Sequence, residues 1–229
     1  PALLWLHDMW NDPESHHLLQ PESRALFKKL LFVSIWQFTT YNLGLGVPYS
    51  DSFVMRNAIY PIREHTKPST EQIRLIYHTT PHRGLEILVP VFVKLYEKFG
   101  DGIHLDVYSS FRIYGWEQRD QPYQKLFDVC RSHPGIAYHG SVPNEEIRRA
   151  LETSHIFSYP CIWPETSCIA ALEALSARTL VVAPNFGALP ETTAGFSWTY
   201  QMHEDPQTHA QTFYHALREA IIRYNKPGV

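Results

Sequence analysis

From Ile73 to the end of the chain, short apolar runs that are typical of strands alternate with longer segments that are typical of helices. Strands are expected at residues 73–77, 103–109, 136–138, 156–159, 179–183 and 196–200. Helices are expected at residues 84–99, 122–132, 144–153, 168–177 and 206–224, and Asn144 is expected to cap the third of them. Because short loops join these elements, the alternation predicts a doubly wound parallel sheet of the Rossmann-like α/β type. Ligands of such sheets bind beyond the carboxyl ends of the strands.

The residues before Ile73 predict a smaller α/β segment and a linker. In order, the smaller segment is expected to contain a strand at 2–6, a helix at 21–29, a strand at 30–34, a helix at 35–42 and a short strand within 53–61. Gly44 and Gly46 are expected to end the second of these helices. Residues 62–72 have the polar, proline-containing composition of a linker. The predicted division is therefore a partial α/β segment at 1–61, a linker at 62–72 and a larger domain at 73–229.

Composition excludes several classes of function. The 229-residue chain has a formal net charge of −3 and no basic block, so electrostatics gives no support for binding nucleic acid. No apolar run approaches the roughly eighteen residues that a membrane span needs. The three cysteines have neither the spacing of metal ligands nor an even count, which indicates a reducing compartment, a cytoplasmic location and no metal site.

Two glutamates bracket the predicted start of one helix. Glu165 lies in a strand-to-helix loop, and Glu173 lies within an otherwise apolar helix that Ser167 is expected to cap. The amides of Ser167, Cys168 and Ile169 at the start of that helix favour an anion. If the segment were helical throughout, the two acids would be roughly 12 Å apart along its axis, which suits a nucleotide sugar. The alternative is one acid at a helix terminus and one buried glutamate in an ion pair.

A second candidate motif occupies the loop at residues 77–85. Arg83 lies between a predicted strand end and a helix start, where its guanidinium could bind a diphosphate in a bidentate manner. Gly84 would allow a close approach of backbone. The alternative for Arg83 is an exposed residue at the start of a helix.

Together these motifs resemble the donor site of the retaining GT-B glycosyltransferases of family 4. The resemblance rests on the spaced glutamates, the Arg83-Gly84 loop, the turn at 139–143 and the Gly-rich turn at 187–191, which occur in the family's order. It implies donor-binding roles for a set of residues in the larger domain: Glu173, His78, Thr79, Ser141, Val142, Ser167, Cys168 and Ile169. His78 stands where the family usually has arginine, and residues 108–110, in place of a Gly-rich turn, could form a wall of the base pocket.

The resemblance also implies a reaction. The expected activity is transfer of a sugar from a nucleoside diphosphate sugar to a saccharide or lipid acceptor, with retention and without a metal or cofactor. Glu165, Arg83 and His7 would be the catalytic residues: Glu165 would hold hydroxyls of the donor sugar, and His7 would face that sugar from the smaller segment. The alternative for His7 is a histidine at a strand end that is held by local hydrogen bonds. A nucleotide-sugar hydrolase or epimerase and a non-catalytic nucleotide-sugar-binding fragment remain as alternatives.

The smaller segment is short for an acceptor domain of this family. About 60 residues precede the predicted linker, whereas a doubly wound domain takes roughly 150 residues. The sequence therefore predicts a partial acceptor domain with uncovered strands, and pairing of the chain into a homo-oligomer, most simply a dimer.

Overall fold

The computed structural model describes residues 2–224. The outer limits of the predicted division, Pro1 and Val229, lie outside the described residues. The first lobe, residues 2–54, contains β1 (Ala2–Leu6), α1 (Pro21–Arg24), β2 (Phe27–Phe32), α2 (Ile35–Leu45) and β3 (Ser52–Val54). Its three strands form one parallel sheet in the order β1-β2-β3.

The second lobe, residues 73–224, contains a six-stranded sheet. Its elements are β4 (Ile73–Tyr77), α3 (Leu85–Phe99), β5 (Ile103–Val107), α4 (Gln124–Ser132), β6 (Ile136–Tyr138), α5 (Asn144–Thr153), β7 (Ile156–Ser158), α6 (Ile169–Ser176), β8 (Leu180–Pro184), α7 (Leu189–Thr193), β9 (Ser197–Tyr200) and α8 (Pro206–Arg223). All neighbouring strands are parallel, and their order is β6-β5-β4-β7-β8-β9. The predicted doubly wound α/β fold is thus confirmed. Between residues 2 and 224, no helix is long and apolar enough to cross a membrane.

The helix predicted at residues 21–29 is present but too long. Helix α1 ends at Arg24, and the chain enters β2 at Phe27, where it pairs with β1. Lys28 and Lys29 favour a helix locally, but this long-range pairing overrides their propensity. The predicted end of the next helix is also too early. Helix α2 continues to Leu45 and ends at Gly46, whose φ of 65° is left-handed.

One face of the first sheet has a core and the other does not. Side chains of β1 and β2 pack against α2 around Phe32 and Tyr41, which are fully buried. On the opposite face Leu3, Trp5 and Phe53 are 59%, 47% and 60% exposed. The predicted homo-oligomer stays a prediction.

The segment between the lobes lies on the second lobe. Residues 55–69 contain no helix or strand. The Ile62 amide donates to Ser176 Oγ (2.8 Å), and the Lys67 ammonium donates to two carbonyls at the end of α5 and to Thr179 Oγ1. Burial lowers the pKa of Lys67 to about 8, so the ammonium and its three donors are retained at neutral pH. The linker predicted at 62–72 is therefore held in place in its first half.

Glu191 joins the two lobes at their carboxyl edges. Its carboxylate accepts hydrogen bonds from the Ile35 and Trp36 amides, both at 3.1 Å, and pairs with Arg56 at 3.0 Å. These amides open α2, so the anion also meets the positive end of a helix dipole. Thr166 Oγ1 donates to the His7 carbonyl (2.7 Å) and adds a second bridge. The carboxyl ends of both sheets therefore face each other across one cleft.

Gly84 allows the β4–α3 loop to touch the loop after β7. Its φ is 122°, and a β-carbon there would lie 2.1 Å from the Pro160 carbonyl oxygen. We expect Gly84→Ala to lower the free energy of unfolding by about 2 kcal/mol or more, since it combines backbone strain with a backbone clash. Gly102→Ala is the control, because a β-carbon there meets nothing within 4 Å. Urea denaturation of both variants tests this, and equal midpoints would contradict it.

Candidate functional site

A cavity of about 910 Å³ opens between the lobes at the carboxyl ends of the strands. Every residue that the sequence singled out as catalytic or donor-binding borders it: His7, His78, Thr79, Arg83, Ser141, Val142, Glu165, Ser167, Cys168, Ile169 and Glu173. They come from both lobes and from four separate segments of the chain. The structure therefore brings the whole set together, while their individual roles stay predictions.

Glu165 is held by a part-buried ion pair. It is 5% exposed, and its Oε1 accepts hydrogen bonds from Arg83 Nη1 and from Tyr159 Oη. Burial opposes the charge on Arg83, but the Glu165 carboxylate outweighs this effect and raises the arginine pKa. The sequence placed Arg83 on a diphosphate and Glu165 on a sugar as separate groups. The structure instead makes each the counter-ion of the other, and it adds Tyr159, which the sequence analysis missed.

Glu173 is also in an ion pair. Its Oε1 accepts from Asn144 Nδ2 (3.0 Å) and Arg148 Nη1 (3.3 Å), and the carboxylate is almost fully buried. The alternative interpretation of a paired, buried glutamate is thus correct, yet the same residue borders the cavity. Asn144 was expected to cap α5, but Pro143 is the cap residue and Asn144 lies in the first turn. The spacing of four residues between Asn144 and Arg148, on one helix face, was the available signal.

The amino end of α6 faces the cavity. Ser167 does not cap this helix as expected, because the cap residue is Cys168 and no side chain accepts a hydrogen bond there. The backbone amides of the first turn have no acceptors within a helix and remain available to an anion. Burial raises the pKa of the Cys168 thiol well above its usual value. Cys168 is therefore a neutral packing residue.

The loop after β4 carries polar atoms without partners. The His78 ring packs against Phe157 with ring centroids 4.4 Å apart and ring planes tilted by 38°, and burial lowers the pKa of His78 to about 3. The ring is therefore neutral and cannot supply the positive charge of the arginine that it replaces. Among residues 2–224, no donor or acceptor meets His78 Nε2, Thr79 Oγ1 or Thr80 Oγ1, all of which are buried. Since all three residues border the cavity, a polar ligand could satisfy them.

Another wall of the cavity is aromatic. The Tyr108 ring lies 4.2 Å from the His139 ring at an angle of 9°, and His139 Nε2 lies 2.8 Å from Asp106 Oδ1. Tyr108 borders the cavity next to the turn that contains Ser141 and Val142. Burial tends to raise the pKa of Asp106, but hydrogen bonds from His104 and His139 lower it overall. An ionised carboxylate thus fixes the stacked pair, which the sequence analysis did not find.

His7 borders the cavity from the first lobe. It follows the last residue of β1, and its ring centroid is 4.7 Å from that of Trp5. The hydrogen bond from Thr166 Oγ1 to the His7 carbonyl places this strand end beside Glu165. The first lobe therefore contributes a histidine to a cavity whose charged groups belong to the second lobe.

Comparisons with known proteins give a consistent result. The sequence pattern of a family described as glycosyl transferases group 1 matches residues 62–223. No curated protein matches the chain. Among solved structures, WaaG, a glycosyltransferase involved in lipopolysaccharide biosynthesis, is similar with a TM-score of 0.66 and 14% identity; the match covers 97% of this chain and 67% of WaaG.

Two further structures agree with this fold. An α,α-trehalose-6-phosphate synthase from Burkholderia multivorans gives a TM-score of 0.69 at 13% identity, and the match covers 99% of this chain and 58% of the synthase. A TarM variant from S. aureus, in complex with fondaparinux, α-GlcNAc-glycerol and UDP, gives a TM-score of 0.68 at 13% identity. This match covers 94% of this chain and 43% of TarM. The chain thus spans about two fifths to two thirds of the length of these proteins. With the GT-B fold and a family match over most of its length, the chain belongs to the glycosyl transferases group 1 family.

Proposed function

We propose that this protein binds a nucleoside diphosphate sugar and transfers the sugar to an acceptor with retention of anomeric configuration. One observation carries the proposal: Arg83, Glu165, Glu173 and the amino end of α6 all border a single cavity of about 910 Å³. A cation, a helix terminus and two carboxylates in one cleft match the charges and hydroxyls of such a donor. UDP in the related TarM structure is consistent with this ligand class.

The diphosphate would lie between Arg83 and α6. Negative charge grows on it as the glycosidic bond breaks, and fixed donors stabilise that charge. The guanidinium and the backbone amides of residues 167–169, at the amino end of α6, supply such donors. Because His78 is neutral, it and the threonine hydroxyls beside it would add hydrogen bonds and no charge. Recognition of the diphosphate charge would therefore depend mainly on Arg83.

The two carboxylates would hold hydroxyl groups at opposite ends of the donor. Both protein donors to Glu165 bind its Oε1, and both donors to Glu173 likewise bind its Oε1. Within residues 2–224, Oε2 of each carboxylate has no hydrogen bond, so each could accept one from a ligand. Glu173 would bind the ribose, and Glu165 would bind the sugar and favour positive charge at its anomeric carbon.

Retention is proposed without a covalent intermediate. Glu165 is already engaged by Arg83 and Tyr159, which suits a positioning carboxylate better than a nucleophile. A trehalose-6-phosphate synthase studied for glycosyl transfer with retention has a similar fold, at a TM-score of 0.64. The acceptor, a saccharide or a lipid, would approach from the side of His7. Release of sugar without an acceptor would instead indicate a hydrolase.

Glu173→Gln should weaken nucleotide binding. The substitution keeps the shape but removes the charge that accepts ribose hydroxyl bonds, so we expect roughly a tenfold loss of affinity. Isothermal titration with UDP, GDP and ADP measures it on whichever nucleotide binds the unaltered protein. Glu97→Gln, an exposed position on α3, is the control. Equal affinities for all three proteins would remove Glu173 from the site.

Arg83→Ala should abolish the preference for a diphosphate over a monophosphate. We expect the ratio of the two affinities to fall by roughly tenfold or more, since a charge-assisted contact to the second phosphate is lost. Titrations of the cognate nucleoside monophosphate and diphosphate give this ratio. Glu173→Gln serves as the comparison, because loss of a ribose contact should weaken both ligands equally. An unchanged ratio in Arg83→Ala would place the phosphates elsewhere.

A further inference from the structure

Arg148 on α5 makes contacts in two directions. Its Nη1 donates to Glu173 Oε1 (3.3 Å), and its Nη2 donates to the carbonyls of Tyr60 (2.8 Å) and Pro61 (3.3 Å). Tyr60 and Pro61 belong to the crossing segment, residues 55–72, which runs from the first lobe to the second. We infer that Arg148 is a positioning residue that couples Glu173 to this crossing segment. The part of the inference that concerns nucleotides rests on the proposed role of Glu173 in nucleotide binding.

The contact with Glu173 is shielded from water. The side chains of Arg148 and Glu173 are 16% and 8% exposed. A charged pair in such surroundings is sensitive to the loss of either partner, because the remaining charge stays desolvated. Arginine suits this position, since its planar fork holds two sets of acceptors at once, whereas lysine carries a single nitrogen. A shift of the Tyr60 and Pro61 carbonyls therefore acts on the same guanidinium that orients Glu173.

A second cavity lies on the other side of this contact. It has a volume of about 610 Å³, and its border includes residues 58–63 and Arg148. Asn144, Ile169 and Glu173 border both this cavity and the larger one. The Arg148–Glu173 pair thus stands between the proposed nucleotide site and the crossing segment.

The crossing segment has a further attachment to α6. The Ile62 amide donates to Ser176 Oγ (2.8 Å), and Ser176 is the last residue of the helix that carries Glu173. A ligand hydroxyl on Glu173 Oε2 would fix the carboxylate and, through Arg148, the two carbonyls just before Ile62. Coupling between sites is reciprocal in free energy. Nucleotide binding should therefore protect the Ile62 amide, and loosening of the segment should weaken nucleotide binding.

Hydrogen exchange at Ile62 tests the coupling directly. In the unaltered protein, saturation with the UDP, GDP or ADP that binds should slow exchange of the Ile62 amide. In Arg148→Ala, affinity should fall by roughly fivefold or more, and a saturating nucleotide should no longer change this exchange rate. Arg148→Lys should recover part of the affinity through its charge. Arg149→Ala, an exposed neighbour on the same helix, should behave as the unaltered protein.

Undiminished nucleotide protection of Ile62 in Arg148→Ala would overturn the inference. A ligand-free comparison separates this failure from failure of the proposed function. Glu173→Gln alone should speed Ile62 exchange relative to Glu97→Gln, because Arg148 loses its charged partner. If no nucleotide binds the unaltered protein but this difference is seen, the proposed function fails and the coupling stands. If Ile62 exchanges equally in both variants, the coupling fails.

Discussion

The part-buried ion pair of Arg83 and Glu165 organises the site. It joins the loop after β4 to the loop after β7, and both loops come together where Gly84 meets the Pro160 carbonyl. Leaving either charge without its partner in this setting would be costly. The pair therefore keeps a cation and an anion fixed in the cleft before any ligand arrives. The proposed diphosphate donor would then take over part of the attraction between Glu165 and Arg83 with its own negative charge, which limits the reorganisation that binding requires.

The fold was accessible from the sequence because its main signals are local. Apolar runs, short loops and helix starts sufficed for the doubly wound sheet of the second lobe. The first lobe was harder, since β2 contains Lys28 and Lys29 and becomes a strand only by pairing with β1. No window of sequence around these lysines contains that information. The extent of each predicted domain remains a prediction even so.

The sequence predicted which residues border the candidate site better than it predicted their hydrogen-bond partners. Spacing and resemblance selected residues that the fold does bring to one cavity. The partners that fix them, Tyr159 and Arg148, were missed because their hydrogen bonds to the two glutamates form only when loops and helices pack together. The state of His78 was likewise hidden, since its low pKa arises from burial. The prediction that Asn144 caps α5 is wrong for a related reason, because the Asn144 side chain donates to Glu173 instead of making a capping hydrogen bond.

The contact of Glu191 with α2 has a consequence for biosynthesis. The carboxylate that satisfies the Trp36 amide is encoded 155 residues later. During translation, α2 emerges from the ribosome long before this acceptor exists, and the Ile35 and Trp36 amides must rely on water in the meantime. This helix terminus is therefore completed only once residue 191 has been synthesised, and a ribosome stalled before that residue would leave both amides without their acceptor.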